Sequence, residues 1–213
     1  MKRILLSTLA LLLSLATFAQ VDRSVRPEAA PAKDIVFGDY DVYKLKNGLT
    51  IIVVENDKLP RVSFSLVVDR DPITEGDKAG YVSLAGQLLR QGTTNRSKDQ
   101  LDEEIDFIGA SLFTGSSNVY AAGLSKYTET LVELLADVAL NPSFPQEEFD
   151  KLKKQSLSGI ESAKDDPNNL SSRIFNQSLY GKDHPYGELD SEETLENISL
   201  EDCKNYYNQY WAP

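Results

Sequence analysis

An Asn-Gly pair early in the chain limits the folds open to it more than any other local feature. Asn47 and Gly48 lie between two runs rich in β-forming residues, at positions 40 to 45 and 49 to 55. Asn-Gly supplies the positive φ angles that a tight hairpin turn requires. Apolar and polar residues then alternate through positions 61 to 69, as in a half-buried strand. The sequence therefore predicts three strands, antiparallel neighbours, at the start of the domain.

Helical spacing of apolar residues dominates the rest of the chain. Two further strands are predicted at positions 110 to 114 and 118 to 124, on either side of a turn at Gly115-Ser116-Ser117. Helices are predicted at positions 79 to 91, from Ser97 onward, at 128 to 140, 145 to 163 and 170 to 180, and from Ser199 onward. This order indicates an α+β domain with a mainly antiparallel sheet packed against several helices.

The composition is that of one folded domain and argues against nucleic acid as a partner. With 41% hydrophobic and 26% charged residues, the chain has apolar side chains for a core and charge for a soluble surface. The formal net charge of -11 leaves no basic stripe that could neutralise phosphates. Cys203 is the single cysteine, which excludes an internal disulfide and a multi-thiolate metal site. A buried or half-buried helix thiol is expected there.

The N-terminal residues have the pattern of a secretory signal peptide. Lys2 and Arg3 precede an apolar run from position 4 to 16, with Thr17-Phe18-Ala19 before Gln20. No later stretch has the roughly 20 apolar residues of a membrane helix. The protein is therefore expected to be exported, to the periplasm if the cell is bacterial, with no membrane span. The predicted organisation is a signal peptide at 1–19, a flexible linker at 20–36 and a folded domain at 37–213.

The residue types that carry chemistry do not form a recognisable site by themselves. His184 is the single histidine, so a zinc site with two histidine ligands cannot be built from this chain. A Gly-x-Ser-x-Gly nucleophile elbow and a phosphate-binding glycine loop are also missing. One acidic cluster would fan around the solvent face of a helix, which favours a solvated surface over metal binding. It comprises Asp102, Glu103, Glu104 and Asp106.

Several phrases of the sequence have a recognisable order and spacing. They are Leu45-Lys46-Asn47-Gly48-Leu49, residues 80 to 93, Asp165-Asp166-Pro167, and Tyr180-Gly181-Lys182-Asp183-His184-Pro185-Tyr186-Gly187. Across residues 38 to 213 the chain resembles the insulinase/pitrilysin metallopeptidases, the inverzincins whose zinc helix carries His-x-x-Glu-His. The resemblance implies an insulinase-like N-terminal domain, an α/β roll truncated before its last strands or a second domain. It also implies a structural role for His184 within a loop phrase, with catalysis as the alternative.

The resemblance identifies where a zinc site is missing. In active relatives, the helix after the third strand carries two histidines that bind zinc and a glutamate that activates water. Those three positions are the first, fourth and fifth residues of Ser83-Leu84-Ala85-Gly86-Gln87. The remaining glutamate ligand of the family falls at Ser158 or Gly159. We expect no catalytic residue, no metal ligand and no cofactor in this chain, and zinc in an active partner or second half.

The resemblance suggests three hypotheses for the function. The family works as two clamshell halves around a chamber, and one half commonly lacks zinc ligands. The chain is then the non-catalytic half, similar to the non-catalytic subunit of mitochondrial processing peptidase. It would pair with a zinc-bearing insulinase-family subunit, or with a second half of the same chain, and help to bind unfolded peptides. The alternatives are a stand-alone scaffold module of the cell envelope, or part of a longer zinc metalloendopeptidase whose motif lies beyond residue 213.

One strand is a candidate for peptide binding. In active relatives a substrate strand pairs with an edge strand that corresponds to residues 110 to 114, where backbone hydrogen bonds supply affinity. The resemblance therefore assigns peptide binding to Ser111, Leu112, Phe113 and Thr114. Here Phe113 and Thr114 replace the usual Asn-Ala of the family, and an ordinary core strand is the alternative.

Overall fold

The computed structural model describes Ala30 and residues 38–211, and the chain divides into two compact units. The first unit ends at Asn56 and the second begins at Asp57. The predicted signal peptide, and the predicted linker apart from Ala30, lie outside the described residues. Within the described residues, no helix combines the length and the hydropathy that crossing a bilayer requires.

The described part of the first unit is a β-hairpin. Strand β1 (Asp41–Lys44) pairs antiparallel with strand β2 (Thr50–Val53). Gly48 has a φ of 94°, in the left-handed region, and the Oδ1 atom of Asn47 accepts a hydrogen bond from the backbone nitrogen of Leu49 at 3.2 Å. The hairpin predicted from Asn-Gly is therefore confirmed.

The second unit contains a three-stranded antiparallel sheet in the order β3-β5-β4. Its strands are β3 (Arg61–Val67), β4 (Ser111–Thr114) and β5 (Asn118–Leu124). The central strand, β5, pairs with β3 along seven residues and with β4 along four. Of the three strands predicted as consecutive neighbours, β1 and β2 pair with each other, whereas β3 pairs with β5.

Seven α-helices lie in the described part of the second unit. They are α1 (Tyr81–Leu88), α2 (Lys98–Phe107), α3 (Thr128–Leu140), α4 (Gln146–Ala163), α5 (Pro167–Tyr180), α6 (Glu192–Glu196) and α7 (Leu200–Tyr210). Helix α3 ends before Pro142, which lacks the N–H that a further helical turn needs. Sheet and helices together confirm the predicted α+β class.

The hydrophobic core of the second unit joins the sheet to its helices. Helix α3 packs against β5, and α1 packs against both α4 and α7. Fully buried side chains come from every layer, among them Leu88, Val119, Leu131, Val138 and Cys203. Burying a side chain of this size contributes about 1.5–3 kcal/mol. The core therefore fixes α1 relative to the sheet, which sets the geometry of the candidate site.

Candidate functional site

Helix α1 carries the three positions to which the resemblance assigns a zinc site, and its N-terminus is firmly held. Gly80 precedes the helix with a φ of 109°. The Glu75 carboxylate accepts hydrogen bonds from the backbone nitrogens of Gly80 at 2.9 Å and Val82 at 3.0 Å. Burial raises the pKa of Glu75, and these two hydrogen bonds oppose the rise. The carboxylate satisfies N–H groups that a helix start leaves without partners.

Ser83 and Gln87 lie one helical turn apart on the exposed side of α1. The Nε2 atom of Gln87 is 3.3 Å from Ser83 Oγ and 3.4 Å from the Ser83 carbonyl oxygen. Residues at i and i+4 on a helix face each other, which is the spacing that two histidines need to share a metal ion. A hydroxyl and a neutral amide are not the usual ligands of zinc. Ser83 and Gln87 therefore have the spacing of a zinc-binding histidine pair but not the imidazole groups.

Gly86 is buried, and its α-carbon faces the backbone of another element. A Cβ added to Gly86 would overlap the carbonyl carbon of Gly115 and the nitrogen of Ser116, and would lie 2.6 Å from the Gly115 oxygen. These are backbone atoms of the turn between β4 and β5, so they cannot rotate aside as a flexible side chain can. The turn occupies the space into which a glutamate at position 86 would project.

Helix α7 and the residue after it hold this turn in place. The carbonyl oxygen of Ser116 accepts hydrogen bonds from the Tyr206 hydroxyl at 2.6 Å and from Trp211 Nε1 at 2.9 Å. The Arg70 guanidinium donates to the Tyr206 hydroxyl at 2.6 Å and lies 5.2 Å from the centre of the Tyr206 ring. Burial raises the pKa of Tyr206, and the Arg70 charge opposes that rise.

The third predicted ligand position lies on α4, which packs against α1. Ser158 and Gly159 are both exposed. The Ser158 hydroxyl donates to the Lys154 carbonyl oxygen at 3.0 Å, and a Cβ on Gly159 would meet no atom within 4 Å. The nearby carboxylate of Glu161 forms an ion pair with Lys164 at 2.5 Å. Gly159 borders an open cleft of about 630 Å³ between α4, α5 and the start of α6.

The lone histidine belongs to an exposed aromatic cluster. His184 Nδ1 accepts a hydrogen bond from the Tyr186 backbone nitrogen at 3.1 Å. The His184 ring stacks on Tyr180, with 5.2 Å between ring centres, and contacts the Tyr186 ring at 5.4 Å. These contacts support the structural role expected for His184 in this loop.

The acidic cluster on α2 is engaged with basic side chains. Asp102 forms ion pairs with Arg90 at 2.8 Å and Lys98 at 2.6 Å, while Glu104 pairs with Arg96 at 3.0 Å. Such surface pairs contribute at most about 1 kcal/mol each. Within the described residues, no three His, Cys, Asp or Glu side chains converge as a metal site would require.

Cys203 is buried in the core, as the sequence predicts. Its Sγ atom lies 3.8 Å from the Tyr81 carbonyl oxygen. Burial raises the pKa of the Cys203 thiol to about 12. The thiolate is the reactive form of cysteine, so this side chain stays an unreactive part of the core near neutral pH.

The candidate peptide-binding strand lies at the edge of its sheet. Strand β4 pairs with β5 on one side and ends the β3-β5-β4 order. Leu112 points into the core, whereas Phe113 is 61% exposed and stacks on Tyr120 with 6.4 Å between ring centres. Among the described strands only β5 pairs with β4, so the backbone groups on the other edge of β4 have no strand partner there.

The comparison with known protein families decides the classification. The family described as insulinase (peptidase family M16) matches residues 51–184. The chain belongs to this family. The matched range includes α1, the β4–β5 turn and α4, so Ser83, Gly86, Gln87 and Gly159 all lie within it.

Individual relatives agree with this classification. The chain is 28% identical over 180 residues to an uncharacterized zinc protease of Rickettsia felis, covering 81% of the chain and 43% of that protein. It is 32% identical to cytochrome b-c1 complex subunit 1 of Bos taurus, covering 64% of the chain and 27% of that protein. The solved inactive M16 domain from Pseudomonas fluorescens has a TM-score of 0.69 at 23% identity, covering 79% of this chain and 43% of that one. The chain thus spans less than half the length of these relatives.

The residues present at the insulinase-family zinc positions do not fit the metal. The positions that the resemblance assigns to two histidines hold Ser83 and Gln87, and the position that it assigns to the glutamate holds a glycine against backbone atoms. The sequence contains one histidine, and its Nδ1 is engaged in the loop after α5. We therefore derive no zinc chemistry from this chain.

Sequence reasoning missed what surrounds Gly86. Gly115-Ser116-Ser117 was recognisable as a turn, but nothing in its sequence indicates that it lies on α1. Helical spacing in the sequence predicts Leu200, Cys203 and Tyr207 on the inward face of α7, so Tyr206 was also missed. Tyr206 is 2% exposed, whereas Tyr207 is half-buried. These contacts join residues far apart in sequence, which periodicity does not detect.

Proposed function

We propose that this chain is the non-catalytic half of an exported insulinase-family clamshell that encloses and helps to bind unfolded peptides. The zinc and the hydrolytic chemistry belong to a zinc-bearing insulinase-family subunit or to a second half of the same polypeptide. The Gly86 contact carries the proposal. The position of the catalytic glutamate lacks a side chain, and the backbone of the β4–β5 turn occupies the space that one would need.

The peptide-binding part of the proposal rests on β4. Its outer edge presents backbone N–H and C=O groups, which pair with an extended peptide with little demand on peptide sequence. The exposed Phe113 ring adds an apolar contact beside that edge. Ser111 and Thr114, both half-buried, are small side chains on the same strand.

The partner is inferred from the relatives. Cytochrome b-c1 complex subunit 1 is, by its name, one component of a larger assembly, and the Rickettsia felis relative is described as a zinc protease. A family that contains both kinds of protein supports a division of labour between halves. The signal-peptide pattern at residues 1–19 supports export of this half, to the periplasm in a bacterial cell.

A second candidate is a longer active zinc metalloendopeptidase with its zinc motif in another domain. The specific observation in its favour is coverage, because the chain spans 43% of the length of the zinc-protease relative. Reading the complete gene product for His-x-x-Glu-His distinguishes this candidate from a two-chain clamshell.

Metal analysis tests the non-catalytic assignment. The purified chain is incubated with zinc, passed through a desalting column and analysed for bound metal. We expect much less than one zinc per chain. Stoichiometric zinc that survives desalting would overturn the assignment.

Affinity capture of the native chain tests the partner. We expect a zinc-bearing insulinase-family protein to be recovered with it, and peptide turnover by that protein to rise when the chain is added. Capture without such a protein, together with unchanged turnover, contradicts the clamshell and favours the stand-alone envelope module.

Substitution on β4 tests peptide binding. Phe113→Asp places a charge beside the proposed docking edge, and turnover of an unfolded peptide by the pair should fall several-fold. Phe107→Asp is the matched control, because Phe107 is 84% exposed on α2 and lies outside β4. Equal turnover for both variants and the unmodified pair would count against docking on β4.

A further inference from the structure

We infer that Gly86 is a positioning residue that seats the β4–β5 turn on α1 and thereby holds the outer edge of β4 ready for a peptide strand. This inference rests on the proposed peptide-binding function. Gly86 then has a structural role of its own and is more than the position where a catalytic glutamate is missing.

The backbones of α1 and the β4–β5 turn lie very close together at Gly86. The turn approaches α1 so closely that no side chain fits between Gly86 and the peptide group that joins Gly115 to Ser116. Only glycine permits this approach, since even the methyl group of alanine would overlap backbone atoms. Helix α1 is itself rigid, because Leu84, Ala85 and Leu88 are almost completely buried.

A hydrogen-bond network holds the turn against α1. Tyr206 and Trp211 both donate hydrogen bonds to the Ser116 carbonyl oxygen, at 2.6 and 2.9 Å. The Ser117 carbonyl oxygen accepts a hydrogen bond from the Val68 backbone nitrogen at 2.8 Å. Tyr206, Trp211 and Val68 thus hold two carbonyl groups of the turn, while Gly86 lies against the turn on α1.

The β4–β5 turn is directly connected to the edge strand β4. Thr114 is the last residue of β4, and the next backbone nitrogen, that of Gly115, donates to the Asn118 carbonyl oxygen at 2.8 Å. β4 has four residues and pairs with β5 alone among the described strands, so its outer edge depends on the turn for its position. A strand edge fixed before binding loses less conformational entropy when a peptide pairs with it.

The experiment compares two helical glycines in the purified chain. Gly86→Ala inserts a methyl group into the contact, whereas a Cβ at Gly159 in α4 would meet no atom within 4 Å. The probe is a fluorescent, unstructured peptide of alternating valine and threonine. A copy that is N-methylated at every residue cannot donate the backbone hydrogen bonds of strand pairing. We measure probe affinity by anisotropy and hydrogen exchange of residues 111–117.

The expected result is specific to the contact between Gly86 and the β4–β5 turn. Gly86→Ala should weaken binding of the unmethylated probe about tenfold or more and speed exchange across residues 111–117. Gly159→Ala should leave both unchanged, and the N-methylated probe should bind weakly to every variant. Folded Gly86→Ala protein with unaltered probe affinity would overturn the inference.

A second variant covers the case in which Gly86→Ala does not fold. The double variant Tyr206→Phe and Trp211→Phe removes both hydrogen bonds to the Ser116 carbonyl oxygen while keeping aromatic rings in the core. Faster exchange at residues 111–117 with weaker probe binding supports the inference that the held turn positions β4. Faster exchange with unchanged probe binding overturns it. If the unmodified chain fails to bind the probe, the proposed peptide-binding function itself fails, and the inference fails with it.

Discussion

The three motif positions on α1 are degenerate in different physical ways. Ser83 and Gln87 are exposed and lie one turn apart, so these two positions lack only the imidazole groups that would bind a metal ion. Gly86 is buried against the Gly115 and Ser116 backbone, so this position lacks both the carboxylate and the space for a glutamate side chain. We therefore expect positions 83 and 87 to accept histidine more readily than position 86 accepts glutamate.

This difference predicts the behaviour of histidine variants. Ser83→His with Gln87→His should create a zinc-binding pair at i and i+4 without disturbing the fold. Zinc at roughly ten times its Kd should then raise the free energy of unfolding by about 1.4 kcal/mol in urea titrations. Adding Gly86→Glu should lower that free energy by about 1–3 kcal/mol or more, because the side chain overpacks the turn.

The single variant Ser83→His is the control, since one histidine offers no pair. Absence of any zinc-dependent stabilisation in the double variant would contradict the convergence of these two side chains. Tolerance of Gly86→Glu without loss of stability would contradict the lack of space.

Asp137 is the most heavily hydrogen-bonded carboxylate of the described residues, and sequence reasoning did not single it out. It is 5% exposed on α3. It accepts hydrogen bonds from Thr93, Asn95 and Asn141 and pairs with Arg96 at 2.8 Å. Burial opposes ionisation, but these donors outweigh it and hold the pKa of Asp137 below its ordinary value. The ionised side chain therefore ties the segment from Thr93 to Arg96 to α3.

A lowered pKa makes this contribution depend on pH. The stabilisation by Asp137 is present above the ordinary aspartate pKa of about 3.9 and is lost as pH falls below it, through the still lower folded-state pKa. Asp137→Asn should lower the free energy of unfolding by about 2–3 kcal/mol at pH 7 and by less at pH 3. Urea titrations at both pH values measure this difference.

Asp106→Asn is the control for Asp137, because Asp106 is an exposed carboxylate on α2. It should change stability by less than about 0.5 kcal/mol at either pH. An equal loss for Asp137→Asn at pH 7 and pH 3 would show that ionisation of Asp137 does not contribute.

At the scale of elements, local signals in the sequence located most helices and strands. The Asn47-Gly48 turn, the Ser97 cap and the break before Pro142 each act within a few residues, and the structure confirms all three. The short helix α6 was missed, although Ser191 and Thr194 form a capping box there. Five residues are too few for an apolar period to emerge.

Local sequence signals did not predict which elements contact one another. Which strand would become the partner of β3, and which surface the β4–β5 turn would contact, are set by packing between distant segments. The candidate site was therefore predictable as three substituted positions on one helix. Its defining feature, a turn resting on Gly86, was not.

The cap of α2 gives a prediction at this scale. Ser97 Oγ accepts a hydrogen bond from the Gln100 nitrogen at 3.3 Å, and Gln100 Oε1 accepts one from the Ser97 nitrogen at 2.9 Å. Ser97→Ala should lower the free energy of unfolding by about 1 kcal/mol, since helix N–H groups lose their partner. Ser158→Ala, in the exposed middle of α4, should be neutral or slightly stabilising because alanine favours helix. Equal effects of the two substitutions, measured by urea titration, would contradict the cap.

At the scale of the whole molecule, the two units differ in how their strands are supported. Every residue of β1 and β2 is exposed, and Ile52 is 65% exposed. In β5 of the second unit, Val119 and Ala121 are fully buried. A hairpin that buries none of its side chains has little beyond its own hydrogen bonds to keep it closed.

Hydrogen exchange should therefore separate the two units. We expect backbone amides of residues 41–53 to exchange about a hundredfold faster, or more, than those of β5. Peptide-resolved mass spectrometry of the chain in deuterated buffer measures both. Comparable protection of the hairpin and β5 would mean that the hairpin gains support from another surface.

The contact between Gly86 and the turn also bears on how such a domain can evolve. A glycine codon can become a glutamate codon by one nucleotide change, but here the new side chain would meet backbone that Tyr206 and Trp211 hold in place. Regaining a catalytic base would first require the turn to withdraw, a change without benefit until the histidines had also returned. Under the proposed function, a return to catalysis by single substitutions is therefore disfavoured, and selection can act on the domain through binding alone.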